Sequence, residues 1–268
     1  MSKALILDCD GVLGDTEQFG HLPAFNQMWS ELGVQWRWSV AEYGDKLKIG
    51  GGKERMASVF DDPGFRAIYP VPESEGARRD LLSSWHARKT AIYKDIIVSG
   101  KIPPRSGVRR LAEEALSRGW LLAVASTSAK ESVDAVLSHA MGEETFRRFA
   151  LVLAGDVVKA KKPAPDIYTL AAEKLGIPPQ NCIVVEDSHI GVLAATLAGM
   201  RTIVTVSSYT RNQDFSDAKI VLTCLGDPEG ESCQVLENRS SAQPGRYFTV
   251  ENLETILDET SRGAAVAH

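Results

Sequence analysis

The chain has 268 residues, 44% hydrophobic and 24% charged, enough for one large buried core or two modest ones. Thirty Lys and Arg against 35 Asp and Glu leave a net charge of -5. That balance argues against a nucleic acid or an anionic membrane as partner, so an anionic ligand needs a local cluster of cations.

The apolar start at Ala4 to Leu7 is too short for a signal segment, and no run of about 18 apolar residues follows it. The expectation is a soluble monomer acting on a small molecule, either cytoplasmic or, if a transit peptide preceded Met1, in the plastid stroma. Cys9, Cys182, Cys224 and Cys233 form no C-x-x-C pair and are expected to be reduced packing residues.

In chain order, Ala4 to Leu7 reads as a strand that runs into Asp8-Cys9-Asp10-Gly11-Val12-Leu13. No comparable strand run follows until residue 120. The stretch between reads as helices at Glu17 to Leu32, Lys53 to Val59 and Ser74 to Val98, with a Pro/Gly-rich break at Asp62 to Pro72. Ile102-Pro103-Pro104 marks the return to a second rhythm, in which short apolar runs alternate with amphipathic segments. These runs are Trp120 to Ala125, Ala150 to Leu153, Ile183 to Val185, Thr202 to Val206 and Lys219 to Leu222. Gly226 to Gly245 reads as a surface excursion and Glu251 to Asp258 as a last helix. The pattern predicts an α/β fold, a Rossmann-like parallel sheet over residues 1–14 and 102–268, with an all-helical cap domain inserted at 15–101.

In such sheets ligands bind at the carboxyl ends of the strands, so the residues just past each strand carry the chemistry. Asp8 and Asp10 follow the first strand, Ser126-Thr127-Ser128 the second, Lys161-Lys162-Pro163 the third, and Glu186-Asp187-Ser188 the fourth. Taken singly, these are a polar turn, a helix cap, a surface pair and another turn. A calcium loop is excluded at the first, because its fifth and twelfth positions are Val12 and Phe19. Together they supply what phosphoryl transfer to a carboxylate requires, because a carboxylate approaches a phosphate dianion only if cations neutralise the pair. Asp8 is then the nucleophile and Asp10 the general acid and base. Asp8, Asp10 (through its carbonyl) and Asp187 are the magnesium ligands, with Glu186 behind them. Ser126, the N-H groups that follow it at Thr127 and Ser128, and Lys162 hold the remaining phosphate oxygens.

D-x-D-G-V-L, the hydroxyl after the second strand, K-P-x-P-D-I-Y and V-E-D-S resemble the four motifs of the haloacid dehalogenase (HAD) superfamily, in its phosphatase and phosphomutase branches. The helical insert is similar to the cap of the beta-phosphoglucomutase-like subfamily, which closes over substrate and excludes water. Asp15-Thr16-Glu17, Leu47 to Met56 and Tyr209-Thr210 further resemble the CbbY-like xylulose-1,5-bisphosphate phosphatases. That resemblance implies substrate binding by Glu17, Gly51, Gly52, Lys53, Glu54, Arg55, His86, Arg88, Lys89 and the 126–132 segment. Glycines and two cations at a helix start also suit a second phosphate, although a glycine hinge and a solvated helix face account for them as well. Glu17 reads equally as a helix-capping acid. The rival functions are a beta-phosphoglucomutase-type phosphomutase and a non-catalytic sugar-phosphate sensor. The intact set Asp8, Asp10, Lys162 and Asp187 argues against the sensor.

Overall fold

The computed structural model describes residues 2–49 and 52–263. The chain divides into two compact units, Met1–Asp15 with Pro103–His268, and Thr16–Ile102. Among the described residues no helix is long and apolar enough to cross a membrane.

Strand β1 (Ala4–Leu7) opens the first unit. The second unit is all helical: a π turn at Glu17–His21, then α1 (Leu22–Glu31), α2 (Val40–Lys46), α3 (Gly52–Ala57), α4 (Pro63–Ile68) and α5 (Glu75–Val98). The backbone is helical without a break from Glu17 to Glu31, as the sequence predicts, with a π first turn in which the Leu22 N-H bonds to the Glu17 carbonyl, just before Pro23, which has no N-H. The sequence reading gave neither α2 nor α4, and both have local causes. Ser39 and Glu42 form a reciprocal capping box, Glu42 N-H to Ser39 Oγ at 3.2 Å and Ser39 N-H to Glu42 Oε2 at 2.8 Å. Asp62 accepts from the Gly64 and Phe65 N-H groups. Pro63, which reads as a breaker, is therefore the first residue of a helix. With no sheet to pack on, the unit closes around aromatic rings. Trp85 is 2% exposed and lies 5.7 Å from Phe60, 6.0 Å from Phe65 and 5.5 Å from Tyr69, centroid to centroid.

The first unit resumes with α6 (Val108–Ser117), β2 (Leu121–Ala125), α7 (Lys130–Phe146), β3 (Leu151–Leu153), α8 (Asp166–Leu175), β4 (Cys182–Glu186), α9 (His189–Leu197), β5 (Arg201–Thr205), β6 (Ile220–Leu222), β7 (Val235–Asn238) and α10 (Val250–Gly263). The sheet order is β3-β2-β1-β4-β5-β6-β7, with every pair parallel except β6 and β7. The mostly parallel sheet, with β1 between β2 and β4, is the α/β core expected from the sequence. Strand β7 corrects the reading of 226–245 as only a surface excursion. It is an exposed edge strand with a bulge against β6, so its side chains carry no buried-and-exposed alternation to reveal it. Ile6, Ala123, Ile167, Tyr168 and Val184 pack in one apolar cluster, where α8 covers one face of the sheet.

The rings around Trp85 are one apolar anchor of the helical unit, beside those of Phe25, Trp29, Trp38 and Tyr43. Trp85→Ala should therefore lower unfolding free energy by about 3–5 kcal/mol, measured by urea denaturation. A loss below about 1 kcal/mol, the level of an ordinary surface change, would contradict this account of the unit's core.

Candidate active site

Register sets the first three site positions. Leu7 pairs with Val124 of β2 and Val185 of β4, so one step further Asp8, Ala125 and Glu186 stand in a row at the carboxyl edge. Lys162 closes this row. Its ammonium donates to Asp8 Oδ1 at 2.6 Å, Glu186 Oε1 at 2.7 Å and the Ala125 carbonyl at 3.2 Å, using all three protons. The Lys162 side chain is 8% exposed, that of Asp8 10% and that of Glu186 0%. Tyr168 donates its hydroxyl to Glu186 Oε1 at 2.6 Å, and Lys162 lies 4.8 Å from the centre of its ring.

Asp187 completes a group of three acids with Asp8 and Glu186, whose carboxylate oxygens lie within 4.8 Å of one another. Two glycines make the space. Gly11 has φ +84°, and a Cβ there would overlap the Asp187 carboxylate; a Cβ at Gly191 would overlap that of Glu186. Burial, offset in part by Lys162 and reinforced by Glu186 and Asp10, pushes the Asp8 carboxyl up to about 7. Burial and then Glu186 push Asp187 well above the carboxylate range, against hydrogen bonding from Ser207 and the charge of Arg105. Burial would raise Glu186 too, but Lys162 and the hydrogen bonds around it outweigh burial and hold it low. Lys162 is lifted well above the usual ammonium range, because Asp8 and Glu186 overcome the burial that would lower it.

Three buried acids against one lysine leave a surplus of negative charge on hard oxygen donors, and that is the chemistry of a magnesium site. Both oxygens of Glu186 are already engaged, Oε1 by Lys162 and Tyr168 and Oε2 by Asp187 N-H and Ser188 Oγ at 3.1 and 3.2 Å. Asp8 and Asp187 are therefore the acids with capacity to hold such an ion, while Glu186 is linked to Asp8 through Lys162 and acts on Asp187 by its charge.

Asp10 Oδ2 accepts from the Ser128 hydroxyl, which brings the acid-base candidate beside the 126–128 segment. Ser126 is buried, and its hydroxyl accepts the Ser128 N-H at 3.1 Å; Thr127 lies between them, half-buried. The neighbouring Lys161 is exposed and pairs with Asp156 at 2.9 Å.

Within the helical unit, Glu17 Oε2 accepts from Tyr43 at 2.5 Å, Arg55 donates to Tyr43 at 3.1 Å, and Arg55 lies 3.5 Å from Glu17. Lys89, buried on α5, donates to His21 Nδ1 at 2.6 Å, and His21 stacks on Tyr93 with centroids 3.9 Å apart. His86 Nε2 is 3.6 Å from where a Gly52 Cβ would lie. Lys53 and Glu54 are exposed. Arg88 stays apart from this group, on an exposed face where it donates to Glu31 at 2.6 Å. Gly51 lies outside the described residues. Sequence reasoning assigned no role to Tyr168, Gly11, Gly191, Ser207, Arg105, Tyr43 or His21. Tyr168 and Gly11 stood inside the quoted motifs and were legible in principle. Arg105 and Tyr43 carried no signal beyond their residue type, and His21 only its place in Gly20-His21, a stretch that also resembles the CbbY-like proteins.

A family model for haloacid dehalogenase-like hydrolases matches residues 2–199. A CBBY-like protein of Arabidopsis thaliana is 45% identical, over 86% of this chain and 72% of its own length. A mutant of CbbY from Rhodobacter sphaeroides, solved in complex with xylulose 1,5-bisphosphate, is 36% identical with a TM-score of 0.67, over 84% of this chain and 95% of that one. A putative beta-phosphoglucomutase from Thermotoga maritima is 25% identical with a TM-score of 0.62, over 79% and 88%.

Burial, then the charges of Lys89, Arg55 and His86, hold His21 well below its usual value of 6.5. Its folded pKa is depressed, so the unfolded chain takes up the proton first as pH falls. Stability from His21 is present above about 6.5 and is lost toward the lower folded pKa. Unfolding free energy measured by urea between pH 7.5 and 5 should fall more steeply for wild type than for His21→Gln, which keeps an acceptor for Lys89 and does not titrate. Parallel profiles would contradict the assignment.

Proposed function

Because the chain belongs to the haloacid dehalogenase-like hydrolases and is a sugar phosphatase of that family, we propose that it hydrolyses xylulose 1,5-bisphosphate to xylulose 5-phosphate through a phosphorylated Asp8. The observation that carries the proposal is the buried Asp8 held by Lys162 beside Glu186 and Asp187. Lys162 engages Asp8 through Oδ1, so Oδ2 is the oxygen assigned to attack.

The Asp8 Oδ2 to phosphorus bond forms as the bond from phosphorus to the sugar oxygen breaks, and Asp10 delivers the proton that the leaving oxygen needs. The Ser128 hydroxyl keeps the Asp10 carboxyl aimed. Asp10, now a carboxylate, takes a proton from water, which attacks the aspartyl phosphate and frees inorganic phosphate. Lys162 and the 126–128 segment hold the anionic oxygens throughout. Magnesium, held by Asp8, Asp187 and the Asp10 carbonyl, supplies charge neutralisation at the phosphoryl group. From the helical unit we propose that Glu17, Gly51 to Arg55, His86 and Lys89 take part in binding the sugar and its second phosphate, with Arg88 the most remote member. Support comes from the cationic character of this set and the bisphosphate bound to the Rhodobacter sphaeroides protein.

Asp8→Asn should abolish turnover while leaving the fold intact, and EDTA should do the same reversibly. Activity above about a hundredth of wild type would rule out the covalent route. Lys53→Ala should reduce kcat/KM for the bisphosphate by at least about tenfold more than for a small monoester, since only the bisphosphate offers a second anion. Equal losses would return the 50–55 segment to a hinge. A mutase would return the phosphoryl group to sugar, so the product balance separates the two activities. Phosphate and xylulose 5-phosphate should accumulate in equal amounts. Conversion of beta-glucose 1-phosphate to glucose 6-phosphate without net phosphate release, with the xylulose substrate untouched, would replace the phosphatase by a phosphomutase.

A further inference from the structure

The antiparallel pairing of β6 with β7 runs on past both strands. Leu222 faces Val235, the Thr223 N-H donates to the Gln234 carbonyl at 3.0 Å, and the next facing positions belong to Cys224 and Cys233. Bonded and non-bonded pairs alternate along such a ladder. Non-bonded pairs bring opposite Cα atoms to about 4.5 Å, with both side chains on one face, a separation that a disulfide spans.

Two contacts agree with that placement. The Cys233 N-H turns away from the ladder to the Arg246 carbonyl at 2.7 Å, as a non-bonded position requires. The Cys224 thiol lies 3.7 Å from the Ser232 carbonyl oxygen, in the peptide that leads into Cys233. Both thiols are free and buried, 2% and 8% exposed. By contrast Cys182 faces Ala4, and Cys9 stands in the turn after β1 at the other end of the strands. The four thiols are therefore not equivalent, although the sequence offered them all as packing residues.

We propose that Cys224 and Cys233 form a redox pair that closes to an intramolecular disulfide, with a small-molecule disulfide such as oxidised glutathione as the oxidant. The thiolate of Cys233, the more exposed, attacks one sulfur of the small disulfide and expels a thiolate. Cys224 then loses its proton and attacks Cys233 Sγ, expelling the captured small thiol. Two protein thiols and one small disulfide become one protein disulfide and two small thiols. Burial pushes the Cys233 thiol up to about 11 and raises Cys224 as well, so exchange is slow at neutral pH.

The bridge ties together the hairpin whose Thr223 carbonyl accepts from Arg105 at 2.9 Å, next to the Val206 carbonyl that the same nitrogen reaches at 2.6 Å. The pair is therefore a covalent clamp on the hairpin that, with Val206, holds the Arg105 guanidinium.

The test is to hold the folded full chain in oxidised glutathione until its thiol count is constant, and then to count thiols in denaturant and map peptides by mass. The expected result is loss of two thiols per chain, a linked peptide containing Cys224 and Cys233, and four thiols again after dithiothreitol. The oxidised protein should melt roughly 5 °C higher than the reduced one, and Cys224→Ser should show no such rise. Four persistent thiols, glutathione adducts without a bridge, or a bridge between other cysteines would overturn the proposal. The wild-type mapping decides this even if the serine variant folds poorly.

Discussion

One ammonium group organises the candidate active-site edge of this protein. Lys162 bonds at once to the residue after β1, the last residue of β2 and the last residue of β4, three strands that lie side by side in the sheet. A buried lysine is costly to desolvate, and so is a buried aspartate or glutamate; each is tolerable here because the others are present. Removing the lysine would leave Asp8 and Glu186 to repel each other within a site that water barely reaches. The same bonds aim Asp8 through Oδ1, so the geometry that stabilises the charges also orients the carboxylate proposed as nucleophile.

The second constraint is room. Asp187 and Glu186 occupy space that a side chain at Gly11 or Gly191 would fill, and Gly11 alone of these needs a positive φ. Packing the acids this closely leaves more negative charge than one lysine can balance. The consequences are opposite for the two neighbours. Glu186, saturated with donors, remains an anion, while Asp187 and Asp8 are pushed toward the protonated form. A hard divalent cation exchanged for those protons would relieve the strain, and on that exchange the phosphatase reading depends.

How much of this was legible depended on whether the signal was local. The six parallel strands showed because each is a short apolar run, and the acids and lysine stood out because they follow such runs in an order that suits phosphoryl transfer to a carboxylate. Strand β7 was hidden, because all four of its residues are exposed and pairing rather than burial defines it. Helix α4 was hidden behind Pro63, whose role as a helix opener depends on the Asp62 cap. The roles of Arg105 and His21 were hidden for a further reason. Their positions are set by partners distant in the chain, Val206 and Thr223 for one and Lys89 for the other, and no spacing rule reports such pairs. The facing cysteines needed the register of two strands, one of them unforeseen.

The central claim is that the Asp8, Glu186 and Asp187 cluster carries protons that a divalent cation displaces. Titrating the wild-type protein with magnesium at pH 7 by calorimetry, in buffers of different ionisation enthalpy, measures those protons directly. The account predicts one magnesium per chain with net proton release, and release that is lost or sharply reduced in Asp187→Asn. Binding whose heat is the same in every buffer, or proton release unchanged in Asp187→Asn, would contradict it.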